Sequence, residues 1–395
     1  MEEVRFRMKY TRSARCYYSK WLTAEKQEAI KGLLSETHKV SSWAVDKHHL
    51  SIAHCGMEKK ELLLAGNLHQ CNDTWLTERA KKNCFAEAYG LVLGTKRSAD
   101  ELKVEYRKPQ HNPYRIMLSS TNAIINLNPG LAGFDMLVEL RCFDSRKRAL
   151  TIAIPLKRNK AFNKWAEKGK LATSIILTDR YIQFSFEVKQ DKKSTGSVIG
   201  IDPGAKNLLT TDTGEKHGTD IWRLLQKLRR KKRCSRAWYA CREEILEYID
   251  KSCKLIPYEA LKYLVLEDNR KIKHKMKRRK SGRRLSKQTR SVLTGWAIGR
   301  INIRLEQLCE ENGVSFRRVP AWGNSRTCPD CGHSEEANRA SQEVFTCREC
   351  GHTRHADDVG AVNTLARFAL GPYGAECQLE FMERHPAYYQ LKKAG

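Results

Sequence analysis

The sequence predicts a multidomain α+β protein: a β-barrel-like module that carries a helical insert, followed by an α/β core interrupted by a zinc ribbon. Three observations carry that expectation. Short alternating strands fill residues 104–190, whereas apolar strands alternate with long helical runs after residue 197. A polar linker, Asp191-Lys-Lys-Ser-Thr-Gly196, separates the two regimes. Two CxxC pairs interrupt the second one. At roughly 150 residues per domain, 395 residues make about two to three domains.

In chain order, residues 1–20 alternate basic and apolar side chains as a strand would, and residues 21–103 turn helical, with Ala29, Ile30, Leu33 and Leu34 on one stripe. Trp21, Trp43 and Trp75 are expected in the core. Strands are expected at Arg115–Leu118, Ala123–Leu127, Met136–Cys142, Ala149–Pro155, Ser174–Leu177 and Tyr181–Val188, so 1–20 and 104–190 form the β module around the helical insert. Residues 191–325 and 353–370 form the split α/β core, with helical runs at Ile221–Ile249, where a break is allowed for, and at Val292–Asn312. Residues 326–352 form the ribbon, and 371–395 read as a tail of little periodicity.

Composition narrows the partner. Lys and Arg number 73 against 45 Asp and Glu, a formal charge of +28, and hydrophobic residues make up 41%, which describes a globular chain suited to a polyanion. No apolar run is long enough for a membrane span, and the N-terminal stretch lacks an apolar signal core, so neither membrane insertion nor secretion is expected. Ten of the 14 cysteines stand alone, as reduced thiols do in a cytosol-like compartment.

The other four are Cys328, Cys331, Cys347 and Cys350, two knuckles separated by fifteen residues. Each knuckle sets two thiolates on one tight turn, and two knuckles complete a tetrahedron around Zn²⁺. Gly332 and Gly351 follow the knuckles, where a positive φ is needed. A closed four-thiolate shell leaves no open position, so one structural Zn²⁺ is expected. His333 and His352 could substitute as ligands, but the cysteines already fill the shell.

Three acidic passages carry candidate chemistry. Ser197–Gly204 reads as an apolar strand that delivers Asp202 into a Pro-Gly turn. Tyr263–Asp268 delivers Glu267 in the same way, 65 residues later. His355-Ala-Asp357-Asp358 opens a helix with Ala361, Leu365 and Phe368 on one face, where either Asp could be an ordinary N-cap. Two strand ends and a helix start can bring Asp202, Glu267 and Asp357 to one point. Converging carboxylates repel one another and persist where divalent cations neutralise them, and an all-oxygen donor set suits Mg²⁺ or Mn²⁺. Two such ions can clamp an in-line displacement at phosphorus.

GIDPG, then LEDN, then CPDC and CREC placed before HADDVGAVN, resembles the split RuvC nuclease domain of the TnpB family, transposon-associated RNA-guided DNA nucleases related to compact type V CRISPR effectors. The resemblance covers about residues 197–370. It implies an RNase H-like (RuvC) core with Asp202, Glu267 and Asp357 as catalytic acids holding two Mg²⁺ or Mn²⁺ ions. It implies a wedge role for the β module, a recognition role for the helical insert, a structured guide RNA and double-stranded target DNA as partners, and a prokaryotic, cytoplasmic, nucleoid-associated setting. The family's last motif usually reads Asp-x-Asn-Ala-Ala-x-Asn. Here Val359 and Gly360 depart from it, which leaves the choice between Asp357 and Asp358 open.

Two basic segments complete the expectation. Residues 269–290 hold twelve Lys or Arg and no acid, among them Lys275, Lys277, Arg278, Arg279, Lys280, Arg283 and Arg284. They are read as a phosphate-gripping lid over the acids. Lys227, Arg229, Arg230, Lys231, Lys232, Arg233 and Arg236 are read as one helix, basic on nearly every face and suited to a groove for an RNA–DNA hybrid. The expected function is RNA-guided DNA cleavage. Its rivals are a miniature CRISPR effector, a guide-independent RuvC-type nuclease, a non-cleaving guide-directed repressor and a DNA-joining transposase.

Overall fold

The computed structural model describes residues 7–20, 22–55, 68–269, 297–321, 323–341, 343–371 and 378–384. The chain divides into two compact units, Lys9–Lys189 and Gln190–Gly395 with Met1–Met8.

The first unit holds β1 (Arg7–Tyr17), α1 (Ala24–Cys55), α2 (Glu78–Glu101), β2 (Arg115–Leu118), β3 (Ala123–Asn126), β4 (Met136–Phe143), β5 (Ala149–Leu156), α3 (Lys160–Lys168), β6 (Gly169–Thr178) and β7 (Tyr181–Asp191). The strands form a four-stranded sheet ordered β1-β7-β6-β2 and a three-stranded sheet ordered β3-β4-β5. Along β1, Tyr10, Arg12, Ala14 and Cys16 alternate inward with period two. Sheets and helices share one apolar core, which Trp43 and Trp75 flank. Trp21 lies outside the described residues.

Helix α3 corrects the all-strand expectation for 104–190. Asn159 accepts from the Phe162 N–H at 2.9 Å and starts the helix. Phe162 and Trp165, three apart, then bury one face, with Phe162 edge-on to Phe184 and Phe186. Nine residues give too little periodic signal to outweigh the strands on either side.

The second unit holds β8 (Ser197–Asp202), β9 (Leu209–Thr211), β10 (Lys216–His217), α4 (Ile221–Arg229), α5 (Arg236–Cys253), β11 (Leu261–Glu267), α6 (Ile298–Glu311), β12 (Ser315–Val319), β13 (Val344–Thr346), β14 (Thr353–His355), α7 (Ala356–Ala369) and α8 (Gln378–Arg384). Its main sheet is ordered β10-β9-β8-β11-β12. Strands β8, β9 and β10 form an antiparallel meander, and β11 and β12 join parallel to β8. The central strands are buried on both faces. Ile199, Ile201, Leu264 and Leu266 pack with helices α4, α5 and α6, while Val198, Tyr263 and Val265 pack with α7. That is why they read as continuous apolar runs.

The ribbon hairpin pairs β13 with β14 and so extends to His355. Helix α8 lies within the stretch expected to be a plain tail.

Candidate functional site

The parallel register sets Ile201 beside Leu266, so Asp202 and Glu267 end neighbouring strands. The carboxyl ends of parallel strands are where open α/β sheets bind ligands. Helix α7 reaches them because two glycines allow close contact. A Cβ at Gly200 would lie 2.6 Å from the Leu365 Cβ and 2.7 Å from the Ala361 carbonyl oxygen, so β8 and α7 touch backbone to backbone there. A Cβ at Gly360 would fall on the Asp202 carboxylate. Gly360 therefore makes the cradle in which Asp202 sits against α7.

Neither Asp357 nor Asp358 caps the helix. His355 does, its Nδ1 accepting from the Asp357 N–H at 3.2 Å, which leaves both carboxylates in the first turn. They then diverge. Asp358 is held by Lys216 and Arg354, each at 3.9 Å. Asp357 takes a 3.4 Å hydrogen bond from Asn207 Nδ2 and acts as a charge neighbour of Asp202. Asp202, Glu267 and Asp357 each keep partial solvent access. Burial, then the Glu267 and Asp357 charges, push the Asp202 carboxyl well above the usual carboxylate range, and a hydrogen bond joins Asp202 to Glu267. Neighbouring carboxylates whose charges oppose one another are hard oxygen donors of the kind that Mg²⁺ or Mn²⁺ would neutralise.

Sequence reasoning missed one cation at this cluster. Arg339 is close enough to pull against the rise in the Asp202 pKa. It follows a 3₁₀ turn, Glu336–Asn338, whose Asn338 is fully buried. Asn338 donates to the Arg326 and His333 carbonyls at 3.0 and 3.1 Å and accepts from the Arg348 N–H at 2.9 Å. The ribbon thus holds an arginine at the acids, and a buried Asn with three backbone partners gives no local sequence signal.

The cysteines meet as their spacing predicts. Their four Sγ atoms lie within 4.8 Å of one another. Cys328 and Cys350 are 3.6 Å apart and Cys331 and Cys347 3.4 Å, near the edge of about 3.8 Å that Zn–S bonds of about 2.3 Å give in a tetrahedron. The two knuckles are copies of one turn. The Cys328 and Cys347 N–H groups donate to the His333 and His352 carbonyls, both at 2.8 Å, and Gly332 and Gly351 share a φ of 75°. Burial opposes charge on Cys347, but the Cys350 and Glu349 N–H groups and the neighbouring Cys331 and Cys350 thiols together outweigh it and bring the thiol down to about 7. His333 and His352 face Glu335 and Asp330 instead of the thiols. The donor set fits Zn²⁺.

The basic cluster does not lie on one helix, as the sequence suggested. Lys227 and Arg229 end α4, Arg230–Ser235 form a connecting turn, and Arg236 begins α5. All seven cations are exposed, and Lys227 pairs with Glu244 at 2.6 Å. Lys275, Lys277, Arg278, Arg279, Lys280, Arg283 and Arg284 lie outside the described residues.

Residues 299–364, from α6 through the ribbon into α7, match the family described as Cas12f1-like, TNB domain. In fold, the chain is similar to a Cas12f1 solved in complex with sgRNA and target DNA, at a TM-score of 0.50 and 13% identity, over 87% of this chain and 83% of that one. It also aligns with a mini-RNA-guided endonuclease, CRISPR-Cas_phi3, at a TM-score of 0.49 and 10% identity, over 92% of each chain. No curated protein matches it in sequence. The fold of the chain thus resembles that of this Cas12f1. Among the described residues, no helix is long and apolar enough to cross a membrane.

Proposed function

We propose that this protein is a compact RNA-guided DNA endonuclease of the TnpB kind, with an RNase H-like (RuvC) core that hydrolyses phosphodiester bonds. The observation that carries this proposal is the placement of Asp202 and Glu267 at the carboxyl ends of neighbouring parallel strands, with Asp357 a charge neighbour of Asp202 from the first turn of α7. The fold shared with a Cas12f1 bound to sgRNA and target DNA supports guide RNA and DNA as partners, and the +28 charge supports a large polyanion contact.

Asp202, Glu267 and Asp357 would hold two Mg²⁺ or Mn²⁺ ions, which supply an acidified water and neutralise charge on the transferring phosphate. The chain's own residues set the stage. Gly360 leaves room for the Asp202 carboxylate, and Asn207 orients Asp357. Lys216 and Arg354 draw Asp358 aside. Arg339 adds a positive charge that acts on Asp202. The four cysteines would hold a structural Zn²⁺ that braces the segment presenting Arg339. The basic hairpin and the 269–290 segment would bind backbone phosphates.

A second reading, a miniature type V CRISPR effector with the same chemistry, is favoured by the match of residues 299–364 to a Cas12f1-like domain. One experiment tests both. The protein is purified from cells carrying its native genomic neighbourhood, and RNA retained through high salt is sequenced. The complex is then assayed on DNA matching the variable end of that RNA, with Mg²⁺. A discrete RNA and cleavage that Asp202→Ala abolishes are expected. A variable end matching a transposon flank indicates TnpB, and one matching a repeat array indicates CRISPR. Heterogeneous RNA, or cleavage without RNA, overturns guidance.

A further inference from the structure

The tip of the α4–α5 hairpin carries more than charge. Helix α4 ends with the Lys231 N–H donating to the Leu228 carbonyl at 3.0 Å, and a second turn follows as Ser235 N–H donates to Lys232 O at 3.1 Å. Between them Cys234 adopts a left-handed φ of 64°, a costly conformation for a residue with a side chain. Ser235 then caps α5 by accepting from the Trp238 N–H at 3.2 Å. Arg229, Arg230, Lys231, Lys232, Arg233 and Arg236 fan out around this strained loop, and among the described residues none of the six forms an ion pair.

Into this cationic ring the structure sets an aromatic pair. Trp238 and Tyr239 meet edge to face with centroids 5.1 Å apart, and the Arg242 guanidinium lies 5.4 Å from the Trp238 ring. The Cys234 thiol interacts with the Tyr239 hydroxyl, which raises the phenol above its ordinary range. Tyr239 packs against the Trp238 ring, yet 53% of its surface is exposed.

We propose that the hairpin tip is a stacking site for an unpaired base of a single-stranded nucleic-acid segment, with Tyr239 as the platform and the surrounding cations on the flanking phosphates. Charge alone fits any phosphate backbone. A fixed, exposed aromatic ring fits a free base face, which a paired base inside a duplex does not offer. Trp238 packs against the ring, and a tyrosine has only two side-chain torsions to fix, so little side-chain freedom is lost on binding. The site deepens the proposed nucleic-acid function and assigns to the hairpin an unpaired strand rather than the RNA–DNA hybrid expected from the sequence.

The test compares oligo-dT with the same strand made abasic, which keeps the phosphates and removes the bases. The full-length protein, freed of nucleic acid by nuclease digestion followed by high salt, is titrated with each at several salt concentrations. Tyr239→Ala is expected to weaken oligo-dT binding by at least about fivefold and leave abasic binding unchanged, with the same salt slope for both proteins. Tyr239→Phe retains most of the affinity. A combined Arg230→Ala and Arg233→Ala variant weakens both strands equally and flattens the slope. Equal loss on both strands for Tyr239→Ala, or no loss on either, overturns the stacking site. Wild-type protein that binds neither strand overturns the nucleic-acid function itself.

Discussion

At the scale of the residue, Gly360 links the helix to the acid it faces. A Cβ there would press on the Asp202 carboxylate, and the helix backbone cannot retreat because Gly200 already meets Ala361 and Leu365. Gly360→Ala should therefore displace Asp202 and lower guided cleavage by about a hundredfold, as small misplacements at reacting groups do. Alanine is meanwhile the better helix former by ~1 kcal/mol, so the melting temperature should hold or rise. Cleavage at the wild-type rate would show that the carboxylate moves freely. Asp202 makes a second case. Its folded pKa is raised, first by burial and then by Glu267 and Asp357. Stability that the protonated group provides below the ordinary pKa is lost as pH rises through the folded value, so ionised Asp202 weakens the metal-free protein at neutral pH. Asp202→Asn should raise its melting temperature by ~2–4 °C in Mg²⁺-free buffer at pH 7. The gap should close toward pH ~4, where the carboxyl is protonated. Added Mg²⁺ should stabilise the wild type and leave the variant unmoved, and thermal scans across pH and Mg²⁺ concentration check each part.

At the scale of the element, legibility followed the range of the interactions that decide each one. The knuckles were readable because each is a closed local turn with its ligands written three positions apart, and the structure gives both the same hydrogen bond and the same glycine φ. Strands β8 and β11 were readable because burial on both faces makes them uniformly apolar. The position of the break between α4 and α5 was not. Residues 229–233 are all Arg or Lys, good helix formers with no Gly or Pro among them, so propensity argues for continuation. The helix stops because Cys234 turns left-handed and Ser235 caps the next helix. Arg339 was equally invisible, since the Asn338 network that positions it exists only once the ribbon has closed. That dependence makes a prediction. Cys331→Ser should lower zinc from one ion per chain toward none by elemental analysis. It should also lower guided cleavage at least tenfold while guide binding persists, because the segment that presents Arg339 loosens. Full cleavage by zinc-free protein would detach the ribbon from the acids.

At the scale of the whole molecule, a residue near the chain's end completes a strand from the middle. Pairing between β8 and β9 covers only Ile201 with Thr211 and Asp202 with Thr210. Upstream, Asp212 takes over: its N–H donates to the Gly200 carbonyl at 3.0 Å, and its Oδ1 accepts from the Gly200 N–H at 2.8 Å. Its side chain is fully buried and needs a counter-charge, which Arg384 of α8 supplies from 172 residues away at 2.9 Å, while also donating to the Val198 carbonyl at 2.7 Å. A buried carboxylate stripped of its partner costs about 3–5 kcal/mol, and the same position without charge costs far less. Arg384→Met should therefore lower the melting transition of the Gln190–Gly395 unit by roughly 10 °C. The Lys9–Lys189 unit has its own core and should melt unchanged. Adding Asp212→Asn should recover most of the loss, because the amide still serves the Gly200 N–H and no longer needs a cation. Calorimetry of the two single variants and the double variant decides it: a double variant as unstable as Arg384→Met would mean that α8 contributes packing alone, and full stability in Arg384→Met would mean that the buried charge is answered elsewhere.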